Sequence, residues 1–274
     1  MTTIGLLHPG EMGASIGSAL ADSGHDVLWC ADGRSEATAT RATRFDATAS
    51  FDELVGASDV IVCICPPAAA VGVAETVAVS GFDRLYVDAN AVSPATAMRI
   101  RGIVGTAGAD FVDGDVIGGP ARPDSTTRVY LSAPRAGAVA ELFTAGYPEV
   151  IVLGDRPEAA SALKMAYAAW TKGSSALLLA VRAMARAEGV EGALLAEWDH
   201  SQPGLRERTE MTAIGTGPKA WRFVGEMHEI AAAFEMVGLP EGFAGAAAEV
   251  YDRMGRADTP PAAIEAALTE ILRG

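Results

Sequence analysis

The segment SALKMAYAAW sets one cation, Lys164, among small and apolar residues of helical composition. Desolvation on an apolar helix lowers a lysine's pKa toward neutrality, which suits a group that passes protons. A lysine there can equally snorkel to solvent with no chemical role. At helical spacing Lys164, Ala168, Thr171 and Ser175 share a face, so Thr171 either adds a polar contact to the site or bonds back to a helix carbonyl. Lys172 lies to the other side, directed to solvent or to an anionic group of a substrate. Further on, EMHEI sets Glu226 and Glu229 three residues apart with His228 on a different face, so the three cannot line one pocket. One of the three is the candidate there, against a plain charged surface, and the residues alone leave open which.

A second constellation opens the chain. In LLHPGEMGASIG an apolar strand ends at His8 and a helix follows, with Gly10, Met12 and Gly13 at the junction. Glycines at such a strand-helix turn let a phosphate approach the backbone (Gly10) and the helix pack against the strand (Gly13), while the helix N-terminus offers free N–H donors. The first glycine of a Gly-x-Gly-x-x-Gly turn is replaced by His8, followed by Pro9. His8 then stands at the strand end, close enough to shape a cofactor pocket, and Glu11 belongs to the same loop with its carboxylate turned from the pyrophosphate. The alternative is a plain strand-helix turn.

After the second strand, CADGRSEATATRAT offers Asp32 for a ribose 2′-hydroxyl, and Arg34, Ser35 and Arg41 for a 2′-phosphate. The basic set favours NADP, with NAD open through Asp32. The stretch CICPP, with Cys65 and Pro66, and the stretch VDANAVSP, with Asn90 and Ser93, end strands at the edge of the sheet where ligands bind. Asn90 is either a polar contact for a ligand or a helix cap; Ser93 is a cap.

These motifs need a scaffold. Through about residue 153 short apolar runs alternate with helical patterns, which predicts a parallel sheet of six or seven strands covered by helices that begin near Gly10, Ser35, Pro67, Ser93 and Ala136. From Pro157 about thirty residues of helical composition run to Gly189, and no convincing strand follows. The expected architecture is α/β: an N-terminal Rossmann-type doubly wound sheet over residues 1–155, then an all-helical C-terminal domain over residues 156–274.

Composition narrows the partners. Half of the residues are hydrophobic, enough for a sizeable core, and the formal charge of −14 argues against nucleic acid or an anionic membrane surface. No apolar run has the length needed to span a bilayer, and a cytoplasmic location is expected. Cys30, Cys63 and Cys65 lack metal-ligand spacing and a neighbouring histidine cluster, which predicts buried free thiols and no metal site. Trp170, Trp198, Trp221, Met165, Met211 and Met227 are expected in the core or in a dimer interface.

Taken together, HPGEMG, DGDVIGG and ALKMAYAAW give the chain a resemblance to the β-hydroxyacid dehydrogenase and 6-phosphogluconate dehydrogenase superfamily. The resemblance implies a Rossmann domain joined by a long helix to a helical dimerisation domain, and hence a homodimer. It implies a catalytic role for Lys164 and a substrate-binding role for Gly118 and Gly119, with Asp113 and Val116 in the same motif. Three positions depart: Ile117 stands where a serine is frequent, Ala168 where the family carries asparagine, and His228-Glu229 where relatives carry a Lys-Asp pair. The Gly-Arg-Ser and Asp-Ala-Asn-Ala segments resemble a less studied branch of the superfamily. The implied activity is an NADP-dependent dehydrogenase or reductase moving hydride to or from a small polar carbonyl or alcohol, such as a hydroxy acid, with Lys164 as general acid/base. The alternatives are an imine reductase, a class that usually lacks the lysine, and an NADPH-binding sensor without turnover.

Overall fold

A computed structural model describes residues 1–255 and 263–273. The chain folds as two compact units, Met1–Met165 and Ala166–Gly274. The division falls ten residues later than the boundary at 155 read from sequence, inside a helix, because the start of that helix is bonded to the sheet.

The first unit alternates strand and helix: β1 (Thr3–Leu7), α1 (Glu11–Asp22), β2 (Asp26–Cys30), α2 (Glu36–Arg41), β3 (Asp46–Thr48), α3 (Phe51–Ala57), β4 (Val60–Cys63), α4 (Pro67–Val79), β5 (Leu85–Asp88) and α5 (Pro94–Gly105). Then come β6 (Asp110–Ile117), β7 (Arg128–Ser132), α6 (Ala136–Ala140), β8 (Glu149–Val152) and the first turns of α7 (Ala159–Ala187). The strand order is β3-β2-β1-β4-β5-β6-β7-β8. The chain winds outward from β1 in one direction and from β4 in the other, so the order reverses between two adjacent strands. That reversal opens a crevice at their carboxyl ends.

The sheet is wider than the six or seven strands expected. The addition is β3, three residues long with two exposed, too short to carry a periodic signal in sequence. A further departure is that β7 runs antiparallel to β6. The ten residues between Ile117 and Arg128 contain no helix, and a parallel return needs a crossover of about a dozen residues or more.

Both faces of the sheet are covered, which explains the near-continuous apolar strands. Ile4, Leu6, Val62 and Val87 enter the core under α1, while Leu7, Ile61, Cys63 and Tyr86 point to the opposite core under α4 and α5. Adjacent residues separate to opposite faces as the two-residue period of a strand requires.

The second unit comprises the rest of α7 and α8 (Glu191–Ser201), α9 (Leu205–Thr216), a short 3-10 turn (Gly217–Lys219), α10 (Ala220–Met236), α11 (Gly242–Gly255) and α12 (Ile264–Arg273). Its described residues contain no strand, in line with the helical reading. Phe223 and Tyr251 pack edge to face at 5.2 Å between α10 and α11. Arg186 ties the end of α7 to Glu191 at 2.6 Å and Glu265 at 2.7 Å. No helix of the described residues is long and apolar enough to cross a membrane.

The start of α7 is held on the sheet by one buried carboxyl. Asp113 on β6 is fully buried and accepts the Ser161 amide at 2.8 Å, the Ser161 hydroxyl at 2.6 Å and the Ser132 hydroxyl of β7 at 3.2 Å. Burial pushes its pKa up to about 7, against the pull of those hydrogen bonds. Folding therefore retains a proton on Asp113 that the unfolded chain releases near pH 4. The associated stability is present below that pH and is lost as pH rises through about 7, a change of the order of 4 kcal/mol. An asparagine amide can donate to Ser161 Oγ while its oxygen keeps the Ser161 N–H. The Asp113→Asn protein is accordingly expected to unfold at least as high as the parent at pH 8, with a shallower loss of melting temperature between pH 5 and 8. Thermal unfolding followed by circular dichroism across that range checks this, and equal slopes for both proteins would refute it.

Candidate active site

The phosphate turn joins β1 to α1, and its geometry explains the missing glycine. His8 has φ of 64°, the left-handed conformation that a turn glycine would take. Histidine is among the non-glycine residues that enter this region more readily than most. The two retained glycines have different reasons. A Cβ on Gly13 would lie 2.4 Å from the His8 carbonyl oxygen, so only glycine lets α1 sit this close to the strand end. A Cβ on Gly10 would meet only that same oxygen, at 4.0 Å, and points into open space where a ligand can approach.

No side chain caps α1, whereas Ser35, Ser50 and Ser93 cap α2, α3 and α5 by accepting from Thr38, Glu53 and Thr96 amides. The first-turn N–H groups of Glu11, Met12 and Gly13 are thus left to an anion. Met12 is half-buried against the core, and the Glu11 side chain is exposed. These residues fit a dinucleotide pyrophosphate.

Beyond β2, Asp32, Arg34 and Ser35 are all exposed. Ser35 serves α2 as its cap. A cavity of about 410 Å³ opens beside α1, with Glu11, Ser15, Arg41, Arg44, Arg122 and Tyr147 in its lining. Arg41 therefore reaches the same region as the phosphate turn, and Arg44 is paired with Asp22 at 2.5 Å.

At the ends of β4 and β5 the structure corrects the sequence reading of Asn90. It is neither a helix cap nor a side chain open to a ligand, being 1% exposed. Its Oδ1 accepts the Cys65 amide at 2.5 Å and its Nδ2 donates to Asp88, which ties the two strand ends together. Asp88 is itself fully buried, and burial holds its carboxyl well above the usual range. Cys65 is nearly buried behind Pro66, which is exposed at the start of α4. Ser93 caps α5 as expected.

Lys164 lies at the carboxyl end of β6. Its Nζ donates to Asp115 Oδ1 at 2.9 Å and to the Val116 carbonyl at 2.5 Å, and its side chain is 14% exposed. The apolar setting expected from its helix is therefore interrupted by a carboxylate. An ammonium has three N–H donors, so one remains beyond these two. The Asp113 latch sets this placement: it holds Ser161, and Lys164 follows three residues later, one helical turn along. Directly after β6, Gly118 and Gly119 are exposed. Gly118 has φ of 124°, and a Cβ there would come within 3.0 Å of Thr127, so the loop requires glycine. Ile117 brings no hydroxyl to this loop, and its side chain is buried.

Within the helical unit two expectations change. The Thr171 hydroxyl donates to the Tyr167 carbonyl at 3.1 Å, the back-bonded alternative. Lys172 points to neither solvent nor an open anion subsite: it pairs with Glu226, both side chains less than a fifth exposed, and lies over the Phe223 ring at 5.1 Å. Spacing alone did not single out Glu226 as that partner, because α7 and α10 are distant in sequence. His228 is exposed on α10 and Glu229 half-buried.

The fold and the turn define a dinucleotide-binding sheet. Residues 2–142 match the NAD binding domain of 6-phosphogluconate dehydrogenase, and residues 185–254 match a domain of unknown function, DUF1932. The chain belongs to the 6-phosphogluconate dehydrogenase-like family with a DUF1932 C-terminal region. It is 31% identical over 196 residues to an uncharacterized 28.5 kDa protein of Methanothermus fervidus, covering 70% of this chain and 74% of that one. Among solved structures it is similar to Mycobacterium tuberculosis 3-hydroxyisobutyrate dehydrogenase bound to L-serine, with TM-score 0.73, 18% identity and full coverage of both chains. It is also similar to the reductive aminase of Aspergillus terreus in complex with NADPH and ethyl levulinate, with TM-score 0.57, 17% identity and full coverage of both. At these identities the likeness is one of fold.

The contrast between the two glycines is measurable. Gly13→Ala is expected to cost about 3 kcal/mol, the upper end for overpacking, because the atom it meets is backbone. Gly10→Ala should cost about 1 kcal/mol or less, since it meets nothing but loses a favourable cap residue. Urea unfolding of both variants tests the difference, and equal costs would contradict the close approach of α1 to His8.

Proposed function

We propose that the protein is an NADP-dependent oxidoreductase acting on a small polar carbonyl or alcohol of hydroxy-acid type, with Lys164 as general acid/base. The observation that carries the reading is the Lys164 ammonium, held by Asp115 and Val116 at the carboxyl edge of the sheet beside exposed Gly118 and Gly119. When bound, the nicotinamide supplies or accepts the hydride. In the reducing direction Lys164 gives its remaining proton to the substrate oxygen as negative charge develops there, and in the oxidising direction it takes that proton from the hydroxyl. Asp115 steadies the ammonium in place, and the backbone amides of Gly118 and Gly119 meet a substrate carboxylate.

The uncapped first turn of α1 and the space over Gly10 support binding of the pyrophosphate. Arg34, with Arg41 lining the cavity beside α1, supports a 2′-phosphate and hence NADP over NAD. Lys164 and its carboxylate partner favour this reading over an imine reductase.

NADPH and NADH oxidation by the purified protein, measured over a panel of keto acids, aldehydes and cyclic imines, tests the assignment. Turnover of a keto acid or polar aldehyde with NADPH preferred is expected, and Lys164→Met should lower kcat by about 10² to 10⁴ while NADPH still binds. NADPH binding without turnover of any substrate would instead mark a sensor, and near-normal activity of Lys164→Met would remove its role.

The helical unit further supports a homodimer. Trp170, Trp221 and Phe243 are 68%, 63% and 79% exposed, as are Leu177 and Met211 at more than 60%, whereas Met165, Met227 and Trp198 are core residues. So many large apolar side chains facing water point to burial against a second copy. Sedimentation equilibrium is expected to give twice the chain mass and Trp221→Glu to shift it toward monomer; a monomeric parent protein would refute this.

A further inference from the structure

The sequence separates His8 from Cys63 and Cys65 by more than fifty residues, yet the register of β1 with β4, Leu7 against Cys63, brings the three side chains together. A ring nitrogen of His8 and the sulfurs of Cys63 and Cys65 all lie within 4.8 Å of one another. The two sulfurs are 3.8 Å apart. In a tetrahedral site with metal–sulfur bonds of about 2.3 Å, two thiolates stand about 3.8 Å apart. Cys63 and Cys65 are buried free thiols, as their apolar runs predict, but the fold brings them the histidine that is absent from their sequence neighbourhood.

Several features mark this as a built site. Cys63 is fully buried and Cys65 is 9% exposed. The buried His8 Nδ1 and Tyr86 hydroxyl find no hydrogen-bond partner but the Cys63 sulfur. A thiol is a weak partner and a buried polar atom so poorly paired costs free energy, so such a cluster is better satisfied with something bound in it. The strained φ of His8 is part of the same arrangement, since the left-handed turn at the end of β1 is where this imidazole departs from the chain. The Cys65 amide is pinned by Asn90, which fixes the second thiol on its loop.

We infer that His8, Cys63 and Cys65 form a binding site for one thiophilic metal ion, with zinc the best match. Two thiolates and a neutral imidazole around a dication make a unit with no net charge, which removes the penalty of burying ions singly. Each thiol releases a proton to solvent on binding, and no redox step is involved. Three protein ligands leave the fourth coordination position to water or another small ligand, an arrangement different from a closed four-residue structural site. This inference does not depend on the proposed reaction, because the site is assayed by metal binding alone.

The test uses the reduced full-length protein, stripped with a chelator and titrated with Co²⁺ and Zn²⁺. Roughly one Co²⁺ per chain is expected, with thiolate-to-cobalt charge-transfer absorption and the strong d–d bands of a tetrahedral site, all displaced by Zn²⁺. Cys63→Ser and Cys65→Ser should each weaken binding at least about 100-fold, more than the loss of an outer-sphere contact. His8→Gly, which keeps the left-handed turn, should do the same, and Cys30→Ser should bind like the parent. Circular dichroism verifies that the variants are folded. Failure of the reduced protein to bind stoichiometric metal overturns the site, as does undiminished binding by the folded Cys63→Ser/Cys65→Ser protein, or a Cys63–Cys65 disulfide that re-forms in preference to metal uptake.

Discussion

The arrangement turns on a carboxyl that water does not reach. Asp113 sits in the middle of β6, opposite Asp88 in the register with β5, and spends its hydrogen bonds on Ser161 and Ser132. A buried carboxyl is costly unless it is bonded or neutral, and here it is both bonded and pushed toward protonation. In return it fixes where α7 leaves the sheet and at what rotation. Lys164 inherits that rotation and meets Asp115, two residues along β6 from Asp113 and so on the same face of the strand. One tie thus places Lys164 at the carboxyl end of β6, where the glycine loop begins.

The other end of the crevice follows from a steric limit rather than a bond. Gly13 admits the His8 carbonyl oxygen where any side chain would collide, which lets α1 sit on the end of β1, and Gly10 at the N-cap brings no side chain to cap its first turn. With Gly10 open in front and a left-handed residue behind, the loop can wrap an anion by backbone alone. That matters in a chain with a formal charge of −14, since the general field of the protein repels phosphates and only a local site holds one.

Much of this was legible beforehand because it depends on local pattern. The strand-helix alternation, the long helix ending at Gly189, the serine cap at Ser93 and the helical second half are all short-range signals of period, cap and breaker. β3 escaped because three residues cannot show a period, and the antiparallel β7 because direction depends on the connection's path. Thr171 and Lys172 were ambiguous for a definite reason: a hydroxyl in a helix has a carbonyl four residues back always at hand, and a lysine's partner can come from any helix packed against it.

The sequence by itself determined the class of fold, the phosphate turn with its two retained glycines, and the presence of a lysine on the helix that follows the sheet. Those are properties of neighbouring residues, encoded by spacing and side-chain size. Tertiary structure alone decided that Asn90 is an internal tie, that Lys164 is held by Asp115, that Lys172 is paired with Glu226, and that His8 meets two cysteines. Each of these joins residues distant along the chain, and strand register and helix packing, which bring them together, depend on the whole chain.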